Sequence, residues 1–490
     1  MSVGVDNNSE SYYLALLNDP PDRLHRGAVA ARLIEDWIRA NDIQPGESIG
    51  REQDIANRFG IGRSLAREAV RILERRGLGK PRPGPSGGFI VGTLSHETPG
   101  WAIADYFRLV GFRQRQLLDA REAVDMLAVR LAVEHPKTGN PTAGLFVHDS
   151  KPDDSLESEL KAALAFRNQF ACLGGNQAVI LFVDALNELT LDLFRPESRN
   201  TQAASAFRRS EQRCQRAVID AIEKTDADAA AAAMQKSSVA FARILNEQFH
   251  AGRADLSSVA PTAGTSPRSR ASQVAQLLAN DAAIALSVGK SRLGSEWDLC
   301  ERHSVSRLVL RQAVRILEDG GVVESKRGRG RGLMIRAPHQ AWVVRQVTSH
   351  LVRKGFDDVS PRKLLCLLNA AFPVLAASRA NDDERAVVRD KIFHLRQADQ
   401  IERLEYLHFL RHLTILADSP IVDLLSLCLV AYTARKHLTK CNRIPVAKIT
   451  EHLDLCSEVF GQIDDTPNVV ANLKVDASAR MVGFGCRELS

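Results

Sequence analysis

The sequence predicts a mainly α-helical protein built as a tandem repeat, in which a small basic head is followed by an all-helical domain, twice over. Three observations lead there. Ile61–Glu74 (IGRSLAREAVRILE) returns 244 positions later as Val305–Glu318 (VSRLVLRQAVRILE), without a gap and with eight of fourteen residues identical. A helical motif present twice in one chain marks an internal duplication, so the fold is read in halves. The stretch that follows each copy carries apolar residues at three- and four-residue spacing, the period of amphipathic helices. Finally, 490 residues with 44% hydrophobic and 25% charged side chains exceed one ordinary domain and suffice for several buried cores.

In chain order, residues 1–24 read as a polar arm that ends at Pro20-Pro21. Residues 25–95 form the first head: a helix to Ala40, a Pro45-Gly46 turn, a short helix over Arg51–Phe59, a second over Arg63–Arg75, and a Pro/Gly-rich hairpin closing in Gly88-Phe89-Ile90-Val91. Gly60 permits the sharp turn between the two short helices. Residues 100–250 read as helical, with Leu117–Val133 and the alanine-rich Ala227–Leu245 as the clearest segments. A linker dense in Ser, Ala, Pro, Gly and Thr covers 251–269. The order then repeats, with a second head over 270–338 and a second helical domain over 339–490. Ser295 with Asp298 approximates a capping box, and Ser306 caps the following helix where the first head has Gly62.

Each repeated helix buries an apolar stripe and carries two arginines one turn apart at its amino-terminal end, Arg63 and Arg67 in one copy, Arg307 and Arg311 in the other. Such a helix suits the major groove of DNA, because a guanidinium fork can take guanine O6 and N7 together. Both heads resemble the winged helix-turn-helix of the GntR family. The first matches through Ile49, Glu52, Ile55, Ala56, Ile61, Arg63, Arg67, Glu68, Ala69, Leu73 and the wing Gly87-Gly88-Phe89. The second matches through Leu293, Ser295, Glu296, Leu299, Val305, Ser306, Arg307, Arg311, Ala313, Leu317 and Gly330-Arg331-Gly332-Leu333. The resemblance implies double-stranded DNA as partner. The implied DNA-binding set is Arg63, Ser64, Arg67 and Gly88 in one head, and Ser306, Arg307, Arg311, Arg331 and Gly332 in the other. The heads also differ. Gln53 is answered by Trp297, read as a packing residue with a phosphate-side contact as the alternative, and Ser64-Leu65-Ala66 is answered by Leu308-Val309-Leu310. Two non-identical heads in one chain suggest a pseudo-dimer that reads an asymmetric site, with further homodimerisation open.

The helical domains resemble the FCD-type effector domain of the FadR branch, through Leu117–Arg121, Asp125 and Ala128, and through Phe166-Arg167 to Gly174-Gly175-Asn176. The second copy is degenerate, and Pro373 interrupts its pattern. Many FCD domains hold a divalent metal. The corresponding positions here are Ala163, Arg167, Gln215 and Ser237, then Tyr406, Leu410, His452 and roughly Asp476. These donors fall short of a metal set, so neither metal nor other cofactor is expected. An organic-acid effector held by Arg121 or Arg167 is the candidate ligand, and ion pairing of both arginines is the competing reading.

A net charge of +6 and the basic run Lys326–Arg331 (KRGRGR) are compatible with nucleic acid. The eight cysteines form no C-x-x-C pair and read as reduced thiols. With no signal-like amino terminus and no span-length apolar stretch, a soluble cytoplasmic protein without a membrane partner is expected. No phosphate-cradling glycine loop, H-E-x-x-H or nucleophile elbow is present, so an enzyme is not expected. The resemblance therefore implies a metabolite-responsive transcriptional repressor. The alternative is a metabolite-binding or non-specific architectural protein with decayed heads.

Overall fold

The computed structural model describes residues 26–41, 43–75, 78–82, 87–92, 97–134, 155–193, 201–251, 270–319, 322–326, 332–336, 340–354, 372–437 and 443–462, with isolated positions between them. The expected arm (1–24), nearly all of the linker and the Arg331 wing tip lie outside the described residues. The chain forms two compact units, and each draws on both halves of the sequence. One takes 14–111 with 254–354, and the other takes mainly 112–253 with 355–490.

In the first unit, α1 (Arg26–Ala40), α2 (Glu52–Phe59) and α3 (Arg63–Arg75) precede an antiparallel hairpin of β1 (Gly79–Arg82) and β2 (Gly88–Val91). The Arg51 N–H donates to the Asp54 carboxylate at 2.8 Å, which starts α2. Gly60, at φ +63°, ends it in the left-handed region. Ile34, Ile55, Ala66, Ala69, Leu73 and Phe89 close one core beneath α3. The later half repeats this order as α10 (Arg270–Ser287), β3 (Arg292–Gly294), α11 (Glu296–Arg302), α12 (Arg307–Asp319), β4 (Val323–Lys326) and β5 (Gly332–Ile335). Ser295 completes the capping box with Asp298, and Ser304 at φ +50° holds the place of Gly60 in the turn. The two parts pack on each other. α4 (Glu97–Val110), with Ala102, Ile103 and Phe107 buried, lies against α10 and α13 (Gln340–Arg353). Helix α3 meets α12, where Arg315 pairs with Glu68 at 3.1 Å.

The second unit contains α5 (Gln114–Glu134), α6 (Leu156–Leu173), α7 (Gln177–Leu193), α8 (Thr201–Glu223) and α9 (Ala227–Ala251). Helix α9 runs through Ala251, so the helix continues into the stretch expected to open the linker. From the later half come α14 (Phe372–Arg379), α15 (Asp382–Gln397), α16 (Arg403–Leu416), α17 (Pro420–His437) and α18 (Thr450–Gln462). Pro373 sits in the first turn of α14, where its missing N–H has no intrahelical acceptor to lose. The later half is not all-helical. β6 (Gln400–Glu402) pairs with β7 (Arg443–Pro445), with Ile401 opposite Ile444 and both buried between exposed neighbours.

Helix α5 packs on α6, α7, α8 and α9 and also on α17. The turn after α6 recurs after α16, offset by 243 residues. Gly174 N–H donates to Phe170 O at 3.0 Å and Ala417 N–H to Leu413 O at 2.9 Å, and Gly175 and Asp418 both have positive φ. Asp418 accepts from Arg113 at 3.0 Å, Arg115 at 2.6 Å and Gln116 at 2.7 Å, which ties the two halves together. Arg379 adds a second tie, to Asp119 at 2.8 Å.

Candidate nucleic-acid interface

Helix α3 is held by its apolar stripe and presents Arg63, Ser64, Arg67 and Arg71 on the opposite, exposed side. Arg67 Nε donates to both carboxylate oxygens of Glu52, at 3.1 and 2.9 Å. The other half repeats the arrangement: Arg311 donates to Glu296 at 2.7 Å through Nε and at 3.3 Å through a terminal nitrogen. Each pair spans 15 residues, and each fixes an arginine over the preceding short helix while leaving it exposed. The equal spacing of the two Glu–Arg pairs was the signal for them in the sequence. Arg63 and Arg307 have no ion-pair partner among the described residues. Ser306 does cap α12: its Oγ accepts from Val309 N–H at 3.4 Å and its carbonyl from Leu310 N–H at 3.0 Å.

The hairpin glycines have a structural task that sequence reasoning missed. Gly88 has φ +144°, and a Cβ there would lie 2.6 Å from Gly50 O. Gly332, 244 positions on, has φ +60°, and its Cβ would lie 2.3 Å from Gly294 O. Each strand therefore crosses a partner glycine at backbone contact, in a conformation that side chains rarely adopt. Gly50 and Gly294 share the same offset, which is the trace they leave in the sequence. Trp297 is not a core packing residue, since it is 61% exposed, at the start of α11. Leu308, beside Arg307, is 59% exposed.

Residues 27–85 match the family described as bacterial regulatory proteins, gntR family. They form a GntR-family helix-turn-helix domain. Arg63, Ser64 and Arg67 of this GntR domain lie on the exposed side of α3, and such domains serve DNA-binding transcription regulators, which in general are not enzymes. Among solved structures, a Streptococcus agalactiae GntR protein is 20% identical over 44% of this chain and 99% of its own, with a TM-score of 0.30. Another, described as Lar, which controls the expression of the Listeria monocytogenes agr system and mediates virulence, is 12% identical over 45% of this chain and 96% of its own, with a TM-score of 0.17. No curated protein matches the chain. Among the described residues, no helix is long and apolar enough to cross a membrane.

Away from the GntR domain, the second unit brings Arg121 and Arg167 together inside the helical core. Arg167 is fully buried. It donates to Asp125 at 2.9 Å, Ala163 O at 2.9 Å, Ser237 Oγ at 2.6 Å and Glu211 at 3.4 Å, and its guanidinium stacks 4.0 Å from the Phe241 ring. Arg121 donates to Thr190 at 3.1 Å and Asn187 at 2.8 Å and lies 3.5 Å from Asp125. Burial lowers its pKa to about 10, so it stays charged at neutral pH. Burial also raises the Glu211 carboxyl, against the pull of Arg167. Two cations thus face two carboxylates, Asp125 and Glu211, inside the core.

Three of the positions that would supply a metal, Ala163, Arg167 and Ser237, do converge, but on the guanidinium of Arg167. A cation already occupies their centre, so this donor set does not fit a metal. In the later half His452 is buried, bonded to Tyr406 Oη at 3.0 Å, and burial lowers its pKa to about 4. Asp476 lies outside the described residues. Among the described residues no three metal-binding side chains come together.

Proposed function

We propose that the chain is a sequence-specific transcriptional regulator in which 25–95 and 270–338 are two non-identical winged helix-turn-helix heads. The two read an asymmetric operator as an in-chain pseudo-dimer. One observation carries the proposal. The later half answers the GntR domain at a constant offset of 244 residues: Gly50 by Gly294, Gly60 by Ser304, the Glu52–Arg67 pair by Glu296–Arg311, and Gly88 by Gly332. Three independent constraints at one offset, the glycine–glycine crossing, the positive-φ turn and the Glu–Arg pair, support both the duplication and a second head. The contact of α3 with α12, and of α4 with α10 and α13, supports the pairing of the heads. On this reading Arg63, Ser64, Arg67 and Gly88 face one half-site, and Ser306, Arg307, Arg311, Arg331 and Gly332 face the other.

The helical segments act as FCD-like effector domains. A small organic acid favours one arrangement of the heads, and the regulator represses when that arrangement fits the operator spacing. Arg121 and Arg167 bind the acid by exchanging Asp125 or Glu211 for it. The test is selection of bound duplexes from a random DNA pool by the purified chain at near-physiological salt, with the particle mass measured in parallel. A bipartite, asymmetric motif bound by a monomer-sized particle is expected. Specific binding by a higher oligomer alone ends the pseudo-dimer reading, and binding without sequence preference but steeply dependent on salt ends sequence-specific regulation.

A further inference from the structure

The two heads differ most where they are exposed. At the constant offset of 244, Gln53 is answered by Trp297 and Ser64 by Leu308, and all four side chains are exposed. Both changes turn a hydrogen-bonding side chain into a large apolar one, and both stand beside the charge pair that the heads share. Trp297 follows Glu296 directly, and Leu308 lies between Arg307 and Arg311 on α12. The neighbouring positions do not follow this trend. Leu65 and Val309 are half-buried, Ala66 and Leu310 are buried, and all four serve the cores. Exposure of a tryptophan and a leucine on a face otherwise carrying arginines is unfavourable in water unless something covers them. The position of Leu308 between two arginines sets what that cover is: the edge of a base pair in the groove those arginines enter.

An aliphatic side chain neither donates nor accepts a hydrogen bond, so it reads only one feature of the major groove, the C5-methyl group of thymine. We propose that Leu308 makes the later head read thymine methyl groups in its half-site, while Ser64 leaves the first head indifferent to them. The inference rests on the proposal that both heads bind DNA. It adds the rule by which they divide an operator.

The test uses the full chain and the duplex enriched by the selection above. The Arg63→Ala and Arg307→Ala variants first assign each half-site to its head. Thymines are then replaced one at a time by deoxyuridine, which removes only the methyl group, and affinity is read by fluorescence anisotropy for the wild type and Leu308→Ser. Leu308 is exposed, so this variant keeps its core. Expected is a roughly fourfold loss per contacted methyl in the Arg307 half-site, the worth of one buried methylene-sized group. Leu308→Ser should abolish that sensitivity, and uracil in the Arg63 half-site should leave affinity unchanged. Wild-type protein binding both duplexes equally, or Leu308→Ser keeping the same sensitivity, overturns the inference while leaving the regulator intact. Failure to enrich any duplex overturns the regulator itself, before uracil enters the experiment.

Discussion

Replacing Arg167 by methionine removes one cation from a closed cluster and leaves its volume nearly filled. In the wild type Arg167 is 0% exposed and satisfies Asp125, Glu211, Ser237 and Ala163 at once. Methionine returns some packing against Phe241 but none of these bonds. The carboxylates of Asp125 and Glu211 then stay buried with only Arg121 between them, and breaking a buried pair in this way costs about 3–5 kcal/mol. With a urea slope of roughly 2–3 kcal/mol per molar, the unfolding midpoint of the helical unit falls by about 1–2 M. The penalty depends on pH. Burial raises the folded Glu211 carboxyl above its ordinary value of 4.5, and loss of Arg167 raises it further. A raised carboxyl contributes stability that is fully present below the unfolded value and is lost as pH rises through the folded one. The variant is therefore more handicapped at a pH above the raised Glu211 value than at one near the ordinary value of 4.5. Urea unfolding followed by circular dichroism at both pH values is the assay. A penalty below about 1 kcal/mol, or one equal at the two pH values, would refute the buried ion cluster as the organiser of this core.

Other perturbations address the interface and the joints. Arg63→Ala and Arg307→Ala should each weaken operator binding by roughly 1–3 kcal/mol and relax different half-sites, as read by anisotropy on duplexes scrambled in one half at a time. Gly88→Ala forces a Cβ to within 2.6 Å of Gly50 O at a φ of +144°. It should cost the first head about 1–3 kcal/mol in thermal unfolding and weaken binding at its half-site alone. Asp418→Ala removes the acceptor for Arg113, Arg115 and Gln116. Because the arginines are exposed, the loss should be modest, about 1–2 kcal/mol, and visible as faster proteolysis of the helical unit.

Much of the head was legible because its physics is local. Helix α3 spans Arg63–Arg75 as its apolar period requires, and the capping box at Ser295 forms from residues three apart. What escaped was non-local. Gly88 was legible as a wing glycine, but its need for Gly50 arises only when the hairpin folds back on the chain 38 residues earlier. Trp297 looked like core because tryptophan is usually covered, yet its place at the start of a seven-residue helix leaves nothing to cover it. Ion pairing of Arg121 and Arg167 was one of two readings open in the sequence, but that Asp125 and Glu211 are the partners arises only when α5, α6 and α8 pack together. The β6–β7 ribbon was missed for want of length: three residues around Ile401 and three around Ile444 are too few to display a period. The pairing of 14–111 with 254–354, and of 112–253 with 355–490, depends on which faces of α4 and α5 stay apolar after their own cores are filled.

Two of the described joints between the halves are not returned at the shifted positions. Arg315 pairs with Glu68, but the positions that would return the contact, shifted by 244, are Arg71 and Gln312, which carry no opposite charges. Asp418 takes three donors from the earlier half, while its counterpart Gly175 has no side chain to take any from the later. A regulator made of two identical chains lies on a palindrome equally well either way round and cannot tell upstream from downstream. A chain whose halves are not interchangeable has a heading. If, as proposed, it reads an asymmetric operator, it sits there one way round with each of its surfaces facing a fixed side of the promoter, and inverting the operator in place would change what the bound protein presents to the transcription machinery.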